Sequence, residues 1–192
     1  MIGKPHIGIV HGRFQPLHIG HMEYIQCATT RCEHLIVGIA NPDPSLTVFN
    51  AASPHRSRES ANPFRYYERQ LFIRHSLLDA GVLADDFTVV PFPINKLELL
   101  QYYVPEDATH FITIYDAWGY AKRDALKAFG FQVEVLWEND PSKKLTSGQE
   151  IRRRIAQGES WENLVPSAVA RIIHTLKLES RVRELLAKEG AG

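Results

Sequence analysis

Five short runs along the chain are apolar without alternating: His6–His11, His34–Ala40, Phe87–Pro91, His110–Tyr115 and Gln132–Leu136. They are rich in Val and Ile. A strand with one wet face alternates apolar and polar residues, whereas a strand covered on both faces does not. The runs therefore predict buried parallel strands. Between them the spacing is helical. Met22, Ile25 and Ala28 fall on one face of a helix over 20–31, and Leu71, Phe72, Leu77 and Leu78 lie within a helix over 67–78. Further helices are predicted over 117–129, stopped by Gly130, over 151–156, stopped by Gly158, and over 167–176, after Pro166. Strands alternating with helices imply right-handed crossovers and an α/β fold with a doubly wound parallel sheet. A Rossmann-like sheet of about five strands in the order 3-2-1-4-5 is expected, with its ligand beyond the carboxyl ends of the central strands.

Two regions break the alternation. Residues 41–62 hold prolines and turn pairs with no periodicity, and a loop of that length in a compact domain is usually functional or disordered. Beyond about Glu179 the chain is charged and reads as a surface helix. One domain over 1–178 with a helical tail over 179–192 is the expected organisation, without internal repeats.

Composition narrows the functional classes. With 192 residues, 44% hydrophobic and 23% charged, the chain can build one sizeable core. Lys plus Arg equals Asp plus Glu, so no basic field marks a nucleic-acid binder, although Arg152, Arg153 and Arg154 form a local cluster. Cys27 and Cys32 fit neither a disulfide scaffold nor a metal-site spacing. No apolar run approaches the roughly 20 residues of a membrane span, and the N-terminus does not read as a signal peptide. A soluble, cytoplasmic protein is expected.

The candidate chemistry begins where the first strand ends. Gly12-Arg13-Phe14-Gln15-Pro16-Leu17-His18-Ile19-Gly20-His21 runs from that strand into the first helix. Gly12 allows a sharp turn and close approach of a ligand to the backbone. A helix start offers unpaired N–H groups and the positive end of its dipole, both suited to phosphate. His18 and His21, three apart, share a face and suit an anion whose charge grows during reaction. A second string, Thr146-Ser147-Gly148-Gln149-Glu150-Ile151-Arg152, has Ser147 and Glu150 at capping-box spacing. Gly148 lets an oxygen approach the backbone, and Arg152 lies about one turn into the helix. Such a helix start suits the outer phosphates of a nucleoside triphosphate.

The first string resembles the GRFQPxHxGH signature of the HxGH-motif nucleotidyltransferase superfamily, most nearly its archaeal type of nicotinamide-mononucleotide adenylyltransferase. The second resembles that superfamily's Ser-Ser-Thr-x-x-Arg motif, with Gln149 in the place of the Thr. Asn62-Pro63-Phe64 with Glu68-Arg69, and Trp161–Val169, resemble flanking segments of the same group. The resemblance spans most of the chain, from about Gly8 to about Leu176. Class I aminoacyl-tRNA synthetases share the tetrapeptide, but this chain is too short and lacks their lysine-bearing motif.

The resemblance implies adenylyl transfer from ATP to the phosphate of a mononucleotide (nicotinamide or nicotinic acid mononucleotide), with release of pyrophosphate. It implies catalytic roles for His18, His21 and Arg152. Nucleotide and phosphate binding falls to Gly12, Arg13, Phe14, Gln15, Gly20, Ser147, Gly148 and Gln149. Magnesium would accompany ATP, small molecules would be the partners, and homo-oligomers are common in the group. Two departures leave the acceptor open. The run Pro93–Tyr103 lacks the Trp that helps hold nicotinamide, and Tyr115-Asp116-Ala117-Trp118-Gly119 replaces a Ser-Asn-Asn-Pro turn. Asp116 and Trp118 are candidate acceptor residues, with Trp118 or Tyr102 able to stack on a flat ring. In the long loop, Arg56 and Arg58 beside His55 are candidates for an acceptor phosphate or a solvated surface run. Another phosphorylated acceptor and a non-catalytic ATP sensor are the alternatives.

Overall fold

The computed structural model describes residues 5–47 and 57–190. Five parallel strands form one sheet in the order β3-β2-β1-β4-β5: β1 (Ile7–Gly12), β2 (His34–Ala40), β3 (Phe87–Phe92), β4 (Thr109–Ile114) and β5 (Gln132–Glu138). Both the strands and their order match the expectation from the sequence. Their ends differ by a residue or two, where hydrogen bonding rather than apolarity sets the limit.

The absence of alternation has the anticipated cause, since both sheet faces are covered. Val10, Val37 and Phe111 point to one face, where they pack under α1 (Ile19–Thr29) and α2 (Tyr66–Asp79). The core on that face also takes in α4 (Gly148–Gln157), α5 (Ser167–Thr175) and α6 (Leu178–Gly190). Their neighbours Ile9, Ile36 and Ile112 point to the other, under α3 (Ala117–Ala128) and the 3₁₀ turn Leu97–Tyr102. α4 stops at Gly158, whose φ of 70° provides the left-handed cap inferred for it. The long connection after β2 contains 3₁₀ turns at Pro44–Leu46 and Glu59–Ala61 in its described parts. Cys27 and Cys32 are free thiols.

The charged tail is indeed helical, but it is not merely a surface element. In α6, Val182 is fully buried and Leu178 nearly so, both within the core of α1, α2, α4 and α5. Arg181 pairs with Glu68 at 2.7 Å and donates to the Pro63 carbonyl, while Arg183 donates to the Ile155 carbonyl. Apolar residues spaced along a mostly charged helix were enough to dock it, because its charges face partners on α2 and α4. Val182→Ala is expected to destabilise the whole domain by about 2 kcal/mol, the loss of two buried carbons plus a partly relaxed cavity. A single denaturant transition shifted to lower midpoint would show this, whereas an unchanged midpoint would mean that α6 is an independent tail.

Candidate functional site

The strand order reverses between β1 and β4, and in such sheets the chain opens a crevice at their carboxyl ends. A cleft of about 390 Å³ lies there, lined by the loop after β1, the first turns of α1, α3 and α4, and the segments leaving β2, β3, β4 and β5.

His18 does not lie inside α1 but caps it. Its extended backbone (φ −139°) places Nδ1 to accept the His21 amide N–H at 3.3 Å. With Nδ1 accepting, the ring proton sits on Nε2, which makes Nε2 the donor left for a ligand. The two imidazoles stack, with centroids 3.6 Å apart and planes 21° apart. His21 is also met edge-on by the Phe14 ring at 5.0 Å. Phe14 is fully buried between Gly12 and His21, so its part in the loop is to hold that histidine; it has no polar side-chain atom for phosphate.

Burial, helped by Lys144, pulls His18 down to about 4. Burial, then His18 and Arg13, pulls His21 well below the usual imidazole value. His11 and His110 are likewise pushed down by burial, His110 to about 4. Each is neutral in the folded protein, and an arriving polyanion would raise its basicity. The same shifts govern acid stability. From the unfolded value near 6.5 down to about 4, the unfolded chain takes up protons that the folded-state rings of His18 and His110 refuse. Each ring therefore subtracts about 1.4 kcal/mol per pH unit over that window. The stabilisation is complete above pH 6.5 and fades as pH falls. Urea midpoints should drop between pH 7 and 5, and His110→Phe should flatten that drop; an equal slope in the variant would remove His110 from the account.

The two strings, 137 residues apart, meet directly. The buried Arg152 guanidinium donates to the Gln15 carbonyl at 2.5 Å. A Cβ on Gly148 would lie 2.5 Å from that same carbonyl oxygen. The oxygen that needs a glycine at this position is thus the protein's own. Burial lowers Arg152 to about 10, which leaves it cationic at neutral pH. Ser147 caps α4, its Oγ accepting from the Glu150 N–H at 3.2 Å. The reciprocal half of the predicted capping box is not made. Glu150 instead binds the guanidinium groups of Arg153 and Arg154 at 2.7–3.0 Å. Two cations at helical spacing outcompete one neutral amide. The arginine cluster is therefore divided: Arg152 faces the cleft, while Arg153 and Arg154 are engaged with carboxylates.

Gln15 is in the cleft wall, but its side chain is spent on structure. Its amide pairs both ways with the Phe64 backbone, at 2.8 and 2.9 Å. Arg13 reaches Asn62 at 3.3 Å. Arg69 donates to the carbonyls of Arg13, Ala40 and Asn41 at 2.8–3.0 Å, tying the loop after β1 to the end of β2. Glu68 accepts the Arg65 N–H at 2.8 Å. These contacts explain physically why Asn-Pro-Phe and Glu-Arg accompany the first string.

Gly12, Gly20, Ser147, Gly148 and Gln149 all line the cleft, as do Asp116 and Trp118. Asp116 caps α3 through the Gly119 N–H at 3.1 Å and faces Lys144 at 3.7 Å. Tyr102, an alternative stacking ring, is 75% exposed and lies outside the cleft lining. Arg58 also lies outside it, paired with Glu189 of α6, and Arg56 lies outside the described residues.

Sequence reasoning missed several lining residues: His11, Thr113, Tyr115, Trp137, Lys122 and Lys144. Most sit at carboxyl ends of strands, where the crevice rule would have drawn attention to them. Trp137 donates its ring N–H to the Tyr115 hydroxyl at 2.9 Å, and Lys144 lies over the Tyr115 ring at 5.1 Å. Together they form a flat-sided wall beside His18 and α4. Among the described residues no group of three or more His, Cys, Asp or Glu could hold a metal, and no helix is long and apolar enough to cross a membrane.

Comparison with known proteins agrees with this geometry. The family described as "Cytidylyltransferase-like" matches residues 9–154, which contain both strings. A phosphonoformate cytidylyltransferase of Streptomyces viridochromogenes is 45% identical, over 92% of this chain and 95% of the other. A nicotinamide-nucleotide adenylyltransferase of Thermococcus onnurineus is 30% identical, over 94% of this chain and 89% of the other. Among solved structures, a bifunctional NMN adenylyltransferase/ADP ribose pyrophosphatase from Francisella tularensis superposes with a TM-score of 0.65 at 17% identity. That alignment covers 96% of this chain but only 53% of the bifunctional one, so the likeness is of fold, across about half of that protein.

Proposed function

Because the chain belongs to the cytidylyltransferase-like family and is a nucleotidyltransferase, we propose that it transfers a cytidylyl group from CTP to a small phosphonate bearing a carboxylate, phosphonoformate being the simplest. Pyrophosphate is the other product. The observation that carries this reading is the 45% identity to a phosphonoformate cytidylyltransferase across nearly the full length of both chains. The cleft supports it in two ways. The run after β3 brings Ile94 and Asn95 to the cleft and no Trp. Lys122 and Lys144 also supply positive charge to its lining, which suits a compact polyanion better than the cationic pyridinium ring of nicotinamide mononucleotide.

In this mechanism the acceptor's phosphonate oxygen attacks the α-phosphorus of CTP, the bond to the bridging oxygen breaks, and pyrophosphate leaves with its electron pair. Catalysis rests on positioning and on matching charge as it moves. His18 Nε2–H donates to the α-phosphate, and His21 supports its ring. The α4 amides, Ser147 and Arg152 hold the outer phosphates. Gly12, Arg13 and Gly20 form the floor on which the triphosphate bends. The divalent cation, magnesium in this reading, enters as part of the triphosphate substrate. The Tyr115–Trp137 wall receives the base.

A second reading keeps the expectation from the first motif: adenylyl transfer to nicotinamide mononucleotide. It is favoured by the 30% identical adenylyltransferases and by Trp118, half-buried in the cleft at the start of α3. Pyrophosphate release measured for each pairing of CTP or ATP with phosphonoformate or nicotinamide mononucleotide tests both. The first reading expects kcat/KM highest for CTP with phosphonoformate. Highest turnover for ATP with nicotinamide mononucleotide would overturn it in favour of the second.

A further inference from the structure

The transfer chemistry leaves His11 in the cleft without a task. His11, next to last in β1, is 6% exposed and lines the cleft, and neither of its ring nitrogens has a hydrogen-bond partner. Its ring lies flat on Phe92, with centroids 4.5 Å apart and planes 8° apart. An alkyl or phenyl side chain would make that packing contact and leave no polar atom unmet. A buried imidazole with both nitrogens idle costs free energy in the empty protein, and a ligand that bonds to it recovers that cost.

The position of His11 says which ligand. It shares the α3 face of the sheet with Ile9 and Ile112, opposite the face that carries α1 and α4. The leaving pyrophosphate belongs with Arg152 and the α4 N-terminus. In-line displacement brings the acceptor from the opposite side, over the end of β1. There His11 is joined by Lys122 from α3, whose positive charge acts on the His11 ring. The other group acting on that ring is neutral His110, 6.5 Å away edge-on. Asn95 also lines the cleft, but its amide N–H groups are given to Asn41 Oδ1 and the Leu46 carbonyl at 3.2 and 3.1 Å.

We infer that His11 and Lys122 form the subsite for the acceptor's second anionic group, its carboxylate, and so make the enzyme select carboxyphosphonates over simple phosphonates. The inference rests on the proposed acceptor class and adds the residues that recognise it. A ring N–H of His11 donates to one carboxylate oxygen, and Lys122 balances the charge. A charge-assisted bond in a closed site is worth about 10- to 100-fold in affinity.

The test is calorimetric binding of phosphonoacetate (a carboxyphosphonate) and of methylphosphonate, with the triphosphate site filled by a non-hydrolysable CTP analogue. The wild type is expected to prefer the carboxyphosphonate by about 10- to 100-fold. His11→Leu should abolish most of that preference, leave the analogue's affinity unchanged, and be at least as heat-stable as the wild type. His11→Gln, which keeps a donor, should restore part of it, and Lys122→Met should weaken it independently. A residue with only a packing role would lower stability and leave the preference alone. Preference retained in both His11→Leu and Lys122→Met, or absent in the wild type, overturns the inference. Selective binding without cytidylyl transfer overturns only the proposed reaction and leaves the subsite standing.

Discussion

His18→Ala should lower the rate of the chemical step by about 10²–10³, the scale of removing one hydrogen-bond donor aimed at developing charge. The geometry gives the reason. Nδ1 of His18 is occupied by the His21 N–H at 3.3 Å, which directs the ring proton to Nε2. The stacked His21 ring, 3.6 Å away, prevents the imidazole from turning aside. The donor is therefore oriented before the substrate arrives, and it is uncharged because burial has moved it to about 4. A neutral donor beside an incoming triphosphate gains strength as charge shifts during transfer, without trapping the ground state. The variant also loses a helix cap, at a cost of about 1 kcal/mol in stability. His18→Asn separates the two effects: asparagine caps well and restores stability while recovering little of the rate. Single-turnover measurement isolates the step, and unchanged single turnover in a folded His18→Ala protein would remove the imidazole from the mechanism.

Arg152→Ala should lower kcat/KM by about 10²–10³, from one or two charge-assisted bonds to phosphate together with the lost alignment of the two strings. The guanidinium is both a cation on the cleft and the strut between α4 and the Gln15 carbonyl. Removing it leaves that carbonyl unpaired and α4 free to shift. The effect should appear mainly as a raised KM for the triphosphate, with a smaller change for the acceptor. Arg152→Lys keeps the charge but cannot span both partners, so it should fall between alanine and wild type. Arg153→Ala makes the contrast, because Arg153 is committed to Glu150 and Glu159 on the solvent side. It should leave kcat/KM within about twofold and the unfolding midpoint nearly unchanged. Equal losses at 152 and 153 would mean that local charge, not the buried strut, matters.

The two strings were legible because each carries local rules. A strand-to-helix turn with glycine, a helix cap, and histidines at helical spacing are decided within about ten residues by backbone geometry. The same locality explains the misreadings. Ser147 and Glu150 have the spacing of a reciprocal cap, and only the placement of Arg153 and Arg154 shows that Glu150 has better partners. Gln15 and Arg69 carry no local sign that they clamp a loop, since their partners Phe64 and Ala40 are brought to them by other parts of the fold.

By itself the sequence determined the fold class, the strand order and the nucleotidyltransferase class, while the choice between ATP and CTP as donor lay outside it. Burial on both sheet faces imprints continuous apolar runs, and phosphate binding imprints helix starts. It also marked the acceptor as open, through the departures at Pro93–Tyr103 and Asp116–Trp118. Only the tertiary structure decided that Arg152 and Gly148 close onto Gln15, that α6 belongs to the core through Val182, and that His11 and Lys122 line the same cleft. Each of these is a meeting of residues distant along the chain, and periodicity and spacing encode only what a residue does to its near neighbours. Side chains that point into a shared space from different strands leave no pattern until the sheet has brought their ends together.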